Sequence, residues 1–136
     1  MKITLRQIKD YFKTEFKWNE AISIGKIDNN KDKMICFYNS KRQLAYSTVV
    51  GGKQNKTTYI KPITILLRYT KNQDSAEIKA QEIYEFFEER TFFINGKRVF
   101  VIMNTEEPIN LGTDDNNIYE YSIELDLYIE RRDING

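Results

Sequence analysis

Residues 118–130 read Ile-Tyr-Glu-Tyr-Ser-Ile-Glu-Leu-Asp-Leu-Tyr-Ile-Glu. Tyr119, Tyr121, Ile123, Leu125, Leu127 and Ile129 alternate with Glu120, Ser122, Glu124, Asp126, Tyr128 and Glu130. Successive side chains of a strand point to opposite faces, so this stretch predicts a strand with one face on a core. The other face meets solvent or a partner, as in antiparallel sheets covered on one side.

Working back from it, Thr105 to Asn117 is polar, carries Pro108 and Gly112, and reads as a loop. Asn95-Gly96 is the strongest two-residue hairpin signal, and it joins Thr91 to Ile94 with Lys97 to Met103. Both arms are apolar enough to predict burial on both faces. Asp74 to Arg90 predicts a helix, with Asp74 and Glu77 as a capping pair. Its stripe is Ala76, Ala80, Ile83 and Phe87, widened by Tyr84. Glu77, Glu82, Glu85, Glu88 and Glu89 line the opposite side as a solvated face or a partner surface. Tyr59 to Thr70 is a strand that Leu66 marks as central, with Pro62 near its start, where a missing amide is tolerated.

Towards the N-terminus, Ser40 to Thr58 is an extended basic loop or long hairpin with Gly51-Gly52 in it. A connection of that length is usually functional or disordered. Ala21 to Ile27 and Lys33 to Asn39 are short strands around the polar turn 28–32. Thr4 and Gln7 form a capping box that opens a helix on which Leu5, Ile8, Phe12 and Phe16 share one face, ending near Trp18. The expected fold is therefore α+β within the α/β class. It has a mostly antiparallel sheet with two helices on one face and a long extended loop at about 40–58. The 136 residues are expected to form one domain, 1–136.

Composition narrows the chemistry. The chain has no His and one Cys, which excludes His-based general bases, Ser-His-Asp and Cys-His pairs, and His- or Cys-built zinc sites. One Cys also excludes an internal disulfide and leads to the expectation of a reduced, intracellular product. Cys36 reads as a small buried apolar residue. No stretch approaches the roughly 18 apolar residues of a membrane helix. Met1 to Trp18 is charged throughout, unlike a secretory leader.

Carboxylates are the remaining catalytic candidates. Asp114, Asp115, Glu120, Glu124 and Asp126 are the acids from which a hard-cation site would be drawn. The Glu-x-Lys triplets 15–17 and 77–79 fall on predicted helices, the wrong place for a metal-dependent nuclease. Gly51-Gly52-Lys53 lacks the first glycine of a phosphate-binding loop. No enzyme, cofactor, metal or small-molecule substrate is expected.

Charge is divided along the chain. Residues 1–70 hold 14 Lys and Arg against 5 Asp and Glu, a balance of +9. Residues 71–136 hold 7 against 15, a balance of −8, which leaves the net +1. Such halves pair within one chain or register one copy against another. The expected contacts are Lys41, Arg42, Lys53 and Lys56 on the loop and Glu120, Glu124 and Asp126 on the last strand. Met neighbour to neighbour, these surfaces build a ring or a stack. The alternative is a small nucleic-acid-binding adaptor using the basic stretch 41–61.

Several stretches resemble a known family. They are Val50-Gly51-Gly52, Thr58-Tyr59-Ile60-Lys61-Pro62-Ile63 and Leu66-Leu67-Arg68-Tyr69-Thr70-Lys71-Asn72, followed by Ala80-Gln81-Glu82-Ile83-Tyr84 and Phe93-Ile94-Asn95-Gly96-Lys97-Arg98. Pro108-Ile109-Asn110-Leu111-Gly112-Thr113-Asp114 and Tyr119-Glu120-Tyr121-Ser122-Ile123 complete the likeness, which covers about 33–130. They resemble small tailed-phage morphogenesis proteins, known as minor capsid proteins and regarded as tail-terminator or head–tail joining components. The resemblance implies a homo-oligomeric ring, commonly a hexamer, that caps a tail tube, stops its growth and joins it to a head or neck connector protein. Its implied partners are further copies, the tail tube protein and the connector, with no membrane. Its implied place is the virion tail or neck, or a phage-tail-like particle, assembled in the bacterial host cytoplasm. The loop at 41–58 then corresponds to the one such proteins extend toward the tube or channel.

Overall fold

The period-two stretch forms the spine of the sheet. The computed structural model describes residues 2–28, 30–41 and 49–131. Its strands are β1 (Ala21–Ile24), β2 (Lys33–Asn39), β3 (Thr58–Tyr69), β4 (Thr91–Ile94), β5 (Lys97–Met103), β6 (Ile109–Thr113) and β7 (Tyr119–Glu130). The helices are α1 (Leu5–Phe12) and α2 (Gln73–Phe87). The order across the sheet is β1-β2-β3-β7-β5-β4, with β6 also paired to β7. One long edge of β7 runs along β3 from Arg68↔Glu120 to Thr58↔Glu130. The other is shared, β5 taking Leu125 to Ile129 and β6 taking Tyr119 to Ser122.

All sheet pairings are antiparallel except β1 with β2, which are parallel. Only residues 25–32 connect these two strands, fewer than the dozen or more of an ordinary crossover. Gly25, at φ 74°, starts the reversal, and its N–H donates to the Phe37 carbonyl at 2.9 Å. The α+β expectation of two helices and a mostly antiparallel sheet holds.

Both helices pack on the same side. Leu5, Ile8 and Phe12 from α1 join Ala76, Ala80, Ile83, Tyr84 and Phe87 from α2 over Phe37, Ile65, Leu125 and Leu127. Small residues at 76 and 80 let α2 sit close to the sheet. The capping box is present, with the Gln7 N–H donating to the Thr4 hydroxyl and the Thr4 N–H to the Gln7 side-chain Oε1. Beyond Phe12 the helix widens into a π-turn, Lys13–Lys17, closed by the Trp18 N–H on the Lys13 carbonyl. That turn carries Phe16 and Trp18 back against Phe12.

Besides β1 ending at Ile24 and α2 at Phe87, several details differ from the sequence reading. The cap of α2 is Asn72, whose side chain accepts from the Ser75 N–H at 3.0 Å, instead of Asp74; Asn and Asp cap equally well. Residues 109–113 form an edge strand, hidden because Pro108 and a bulge between Asn110 and Gly112 spoil its alternation. Gly112 takes φ 85° at that bulge.

Pro62 lies inside β3. Its carbonyl accepts from the Ser40 N–H at 3.0 Å. Its nitrogen therefore faces the same way, just past the last ladder residue of β2, where no donor is missed. The hairpin forms as predicted, Asn95 and Gly96 both having positive φ. However, it buries one face only. Phe92, Ile94, Val99 and Val101 are buried, whereas Phe93, Phe100 and Ile102 are exposed.

The outer face of β7 supplies the last correction. Ser122 is buried and Asp126 is only 8% exposed, so the acidic face is not an open surface along its length.

Candidate functional site: a basic tip and an acidic sheet

The sequence placed its contacts on a basic loop and an acidic strand face, and the fold separates these into three places. The first is a surface pocket of about 470 Å³ on the outer side of the sheet. Tyr38, Lys41, Thr64 and Glu124 line it. The β2–β3–β7 register creates it, because Tyr38 pairs with Thr64 and Thr64 with Glu124. The Thr64 hydroxyl donates to the Glu124 carboxylate at 2.8 Å. A predicted base and a predicted acid thus line one pocket within a single subunit.

The second place is the far end of β3. Val49 to Gly52 form a turn in which the Gly52 N–H donates to the Val49 carbonyl at 2.9 Å. Gly51 has φ 89°, and a Cβ built there would lie 1.9 Å from the Asn55 amide nitrogen. That amide donates to the Val50 carbonyl at 2.9 Å. Lys53 to Asn55 add a short 3₁₀ turn. The Arg131 guanidinium donates to the carbonyls of Lys53 and Lys56, tying the tip to the end of β7. Lys53 is exposed, Lys56 is half-buried, and Val50 projects with 97% of its surface open. Arg42 lies outside the described residues.

The third place is the opposite end of β7, where Glu120 sits beside a buried ion pair. Arg68 on β3 is completely buried. Its guanidinium pairs with the Asp114 carboxylate in the β6–β7 turn, and its Nε donates to the Lys31 carbonyl at 2.9 Å. The other Asp114 oxygen accepts from the N–H groups of Asn116 and Ile118. One arginine thereby holds the β1–β2 connection and the β6–β7 turn on a central strand. Sequence reading gave it no role, although Arg68 and Asp114 both fall in the stretches that carry the resemblance. A charged residue directly after the apolar run Ile65-Leu66-Leu67 was the signal available.

Electrostatics at this end oppose one another. Burial alone would push the Asp114 carboxyl up, but the Ile118 and Asn116 amides and Arg68 hold it below its ordinary value. Glu120 moves the other way, raised by burial and then by the Asp114 charge against the pull of Arg68. A depressed carboxyl stabilises the fold above its unfolded pKa, and that contribution is lost as pH falls through the folded value. A raised carboxyl contributes stability that is present below its unfolded pKa and lost as pH rises through the folded one. Glu120→Gln will therefore stabilise the protein at pH 7, and the gain will vanish below about pH 4, near the unfolded value. Urea unfolding at the two pH values checks this. An equal gain at both would rule out titration of Glu120 as the cause.

Among the described residues, no group of three or more His, Cys, Asp or Glu side chains is placed to hold a metal ion. Asp114 is engaged by Arg68 and Glu124 by Thr64. Among the described residues, no helix is long and apolar enough to cross a membrane. What this arrangement presents is contact surface: a braced basic tip, a mixed-charge pocket and an exposed apolar hairpin face.

A family model described as bacteriophage tail terminator protein matches residues 13–131, and the chain belongs to that family. No curated protein and no solved structure matches it. Membership makes it a structural component of the phage tail, carried in the tail or neck of the virion beside other tail and head proteins.

Proposed function

We propose that copies of this chain close into a ring on the end of the tail tube, block addition of further tube subunits and join the tube to the head or its connector. The observation that carries this reading is the family match across residues 13–131. Six copies per ring is the number to which the resemblance leads. The mechanism is steric and electrostatic: one surface occupies the last tube ring, and a different surface faces outward. Heterologous contacts between the +9 and −8 parts of the chain close the ring if the rotation closes. Lys41, Lys53 and Lys56, with Arg42, supply the basic side of the contacts. Glu120 and Glu124 supply acids at the surface, with Asp126 beneath it.

Tails assembled without this protein are expected to overrun their set length and to fail to attach to heads. Adding the purified chain early in assembly should restore both. Electron microscopy of tail lengths and head attachment reads the result. Tails of normal length that join heads in its absence would overturn the proposal.

A further inference from the structure

One groove of this subunit is unused by the contacts above. It lies where the C-terminal end of α2 passes β5, has a volume of about 680 Å³, and is lined by Glu88, Glu89, Phe100, Ile102, Met103 and Glu106, among others. It exists because β4 pairs with β5 only as far as Phe100, leaving Ile102 and Met103 beyond the end of β4. Phe100 and Ile102 are 38% and 41% exposed on the face of β5 opposite Val99 and Val101, so the β5 side of the groove is apolar, and Glu88 and Glu89 stand on its α2 side. The Tyr84 hydroxyl donates to the Thr105 carbonyl at 2.6 Å and holds the far wall in place. Burial, and then the charges of Glu88, Glu106 and Glu107, hold the Tyr84 phenol above its ordinary value, in keeping with a negative field there.

The same chain carries a segment with the opposite character. The tip at 49–53 is braced by its own turn, by Asn55 and by Arg131, and it presents two apolar side chains followed by an exposed lysine. Val50, 97% exposed on a hydrogen-bonded turn, packs against none of the described residues' core. The tip emerges where Thr58 pairs with Glu130, whereas the groove opens at the Met103–Leu125 end of the β5–β7 pairing. We infer that the Val49–Lys53 tip of one copy docks in the α2–β5 groove of the next, Val50 on Phe100 and Ile102 and Lys53 toward Glu88, Glu89 and Glu106. Charge and apolarity choose a second copy of this chain as the occupant, because an apolar knob with a base meets an apolar strand edge with acids beside it. The contact is heterologous, so repeating it generates a ring. This inference rests on the proposed ring and names its contact.

The test uses the full chain, alone and on tail tubes from phage lacking it. Light scattering measures ring size and the concentration at which rings dissociate. Because Val50 is exposed, Val50→Asp leaves the fold intact, which circular dichroism verifies. It should weaken ring closure at least about tenfold, as expected when an apolar anchor is lost. Lys53→Glu should weaken it as well, and Glu106→Lys in the same chain should restore part of the loss. Separately, a mixture of Val50→Cys and Ile102→Cys chains should cross-link on oxidation into a dimer that neither yields as efficiently alone; Cys36 is buried and does not compete. Wild-type protein that stays monomeric alone and on tubes sinks the ring and this contact with it. Rings that persist unchanged in Val50→Asp sink the contact and leave the ring standing. Intact rings with lost tube attachment also overturn it, by giving the tip to the tube protein.

Discussion

Phe12→Ala will lower the unfolding free energy by about 3–5 kcal/mol, the range for removing a large buried aromatic side chain. Phe12 is completely buried. Its ring stacks on Phe16 at 4.8 Å and on Phe87 at 5.5 Å, meets Phe86 edge-on at 5.4 Å, and tilts against Phe37 and Trp18. It therefore joins α1, the π-turn, α2 and the sheet at one point. Small domains are stable by only about 5–15 kcal/mol, so the loss is a large share of the total. Phe16 sits at the rim, half-buried, and Phe16→Ala should cost less, about 1–2 kcal/mol. Urea unfolding followed by the fluorescence of Trp18 compares the two. A loss below about 1 kcal/mol at Phe12 would mean that the cluster collapses to fill the gap, and that α1 is not pinned by this ring.

The second large effect is at Arg68. Arg68→Ala is expected to cost about 3–5 kcal/mol, because breaking a buried pair leaves its remaining partners uncompensated. Arg68→Lys will not rescue it. An ammonium lacks the planar fork that here reaches the Asp114 carboxylate and the Lys31 carbonyl together. The informative comparison is between Asp114→Asn and the double variant Arg68→Met with Asp114→Asn. The single change strands a guanidinium in the sheet; the double change removes both charges and should unfold at higher urea than the single one. The damage also has an address. The Thr70 N–H donates to the Asp32 backbone carbonyl and the Tyr119 N–H to the Thr70 carbonyl, both at the end of the sheet that Arg68 holds. Hydrogen exchange at those amides should accelerate in Asp114→Asn before the rest of the sheet is affected. A single variant as stable as the wild type, with unchanged exchange, would show that the pair is dispensable to the fold.

The elements that could be read in advance are those whose signal is local. Thr4 and Gln7 announce α1 because a capping box spans four residues, and Asn95-Gly96 announces its hairpin because both residues accept positive φ. The stripe Ala76, Ala80, Ile83, Tyr84 and Phe87 is buried as its spacing requires. Errors fell where a signal was broken or shared. The bulge at Asn110–Gly112 concealed β6, and three adjacent polar residues, Asn72 to Asp74, offered more than one cap. The candidate contacts were legible as charged types but not as places. Lys41 and Glu124 line one pocket, Lys53 lies at the other end of β3, and the Glu88–Glu106 groove brings together residues of α2 and of the segment after β5.

Residue order alone settles the two helices, the central strands and which side of β7 faces the core, because periodicities of 3.6 and 2 are properties of neighbouring residues. Tertiary structure decides what becomes of the other side. Whether an outward acid such as Asp126 is buried, whether Arg68 finds a carboxylate in the β6–β7 turn, and whether Phe100 and Ile102 stay open depend on segments brought in from tens of residues away. Charge and apolarity are properties of a side chain, whereas exposure and pairing belong to whatever the folded chain sets beside it.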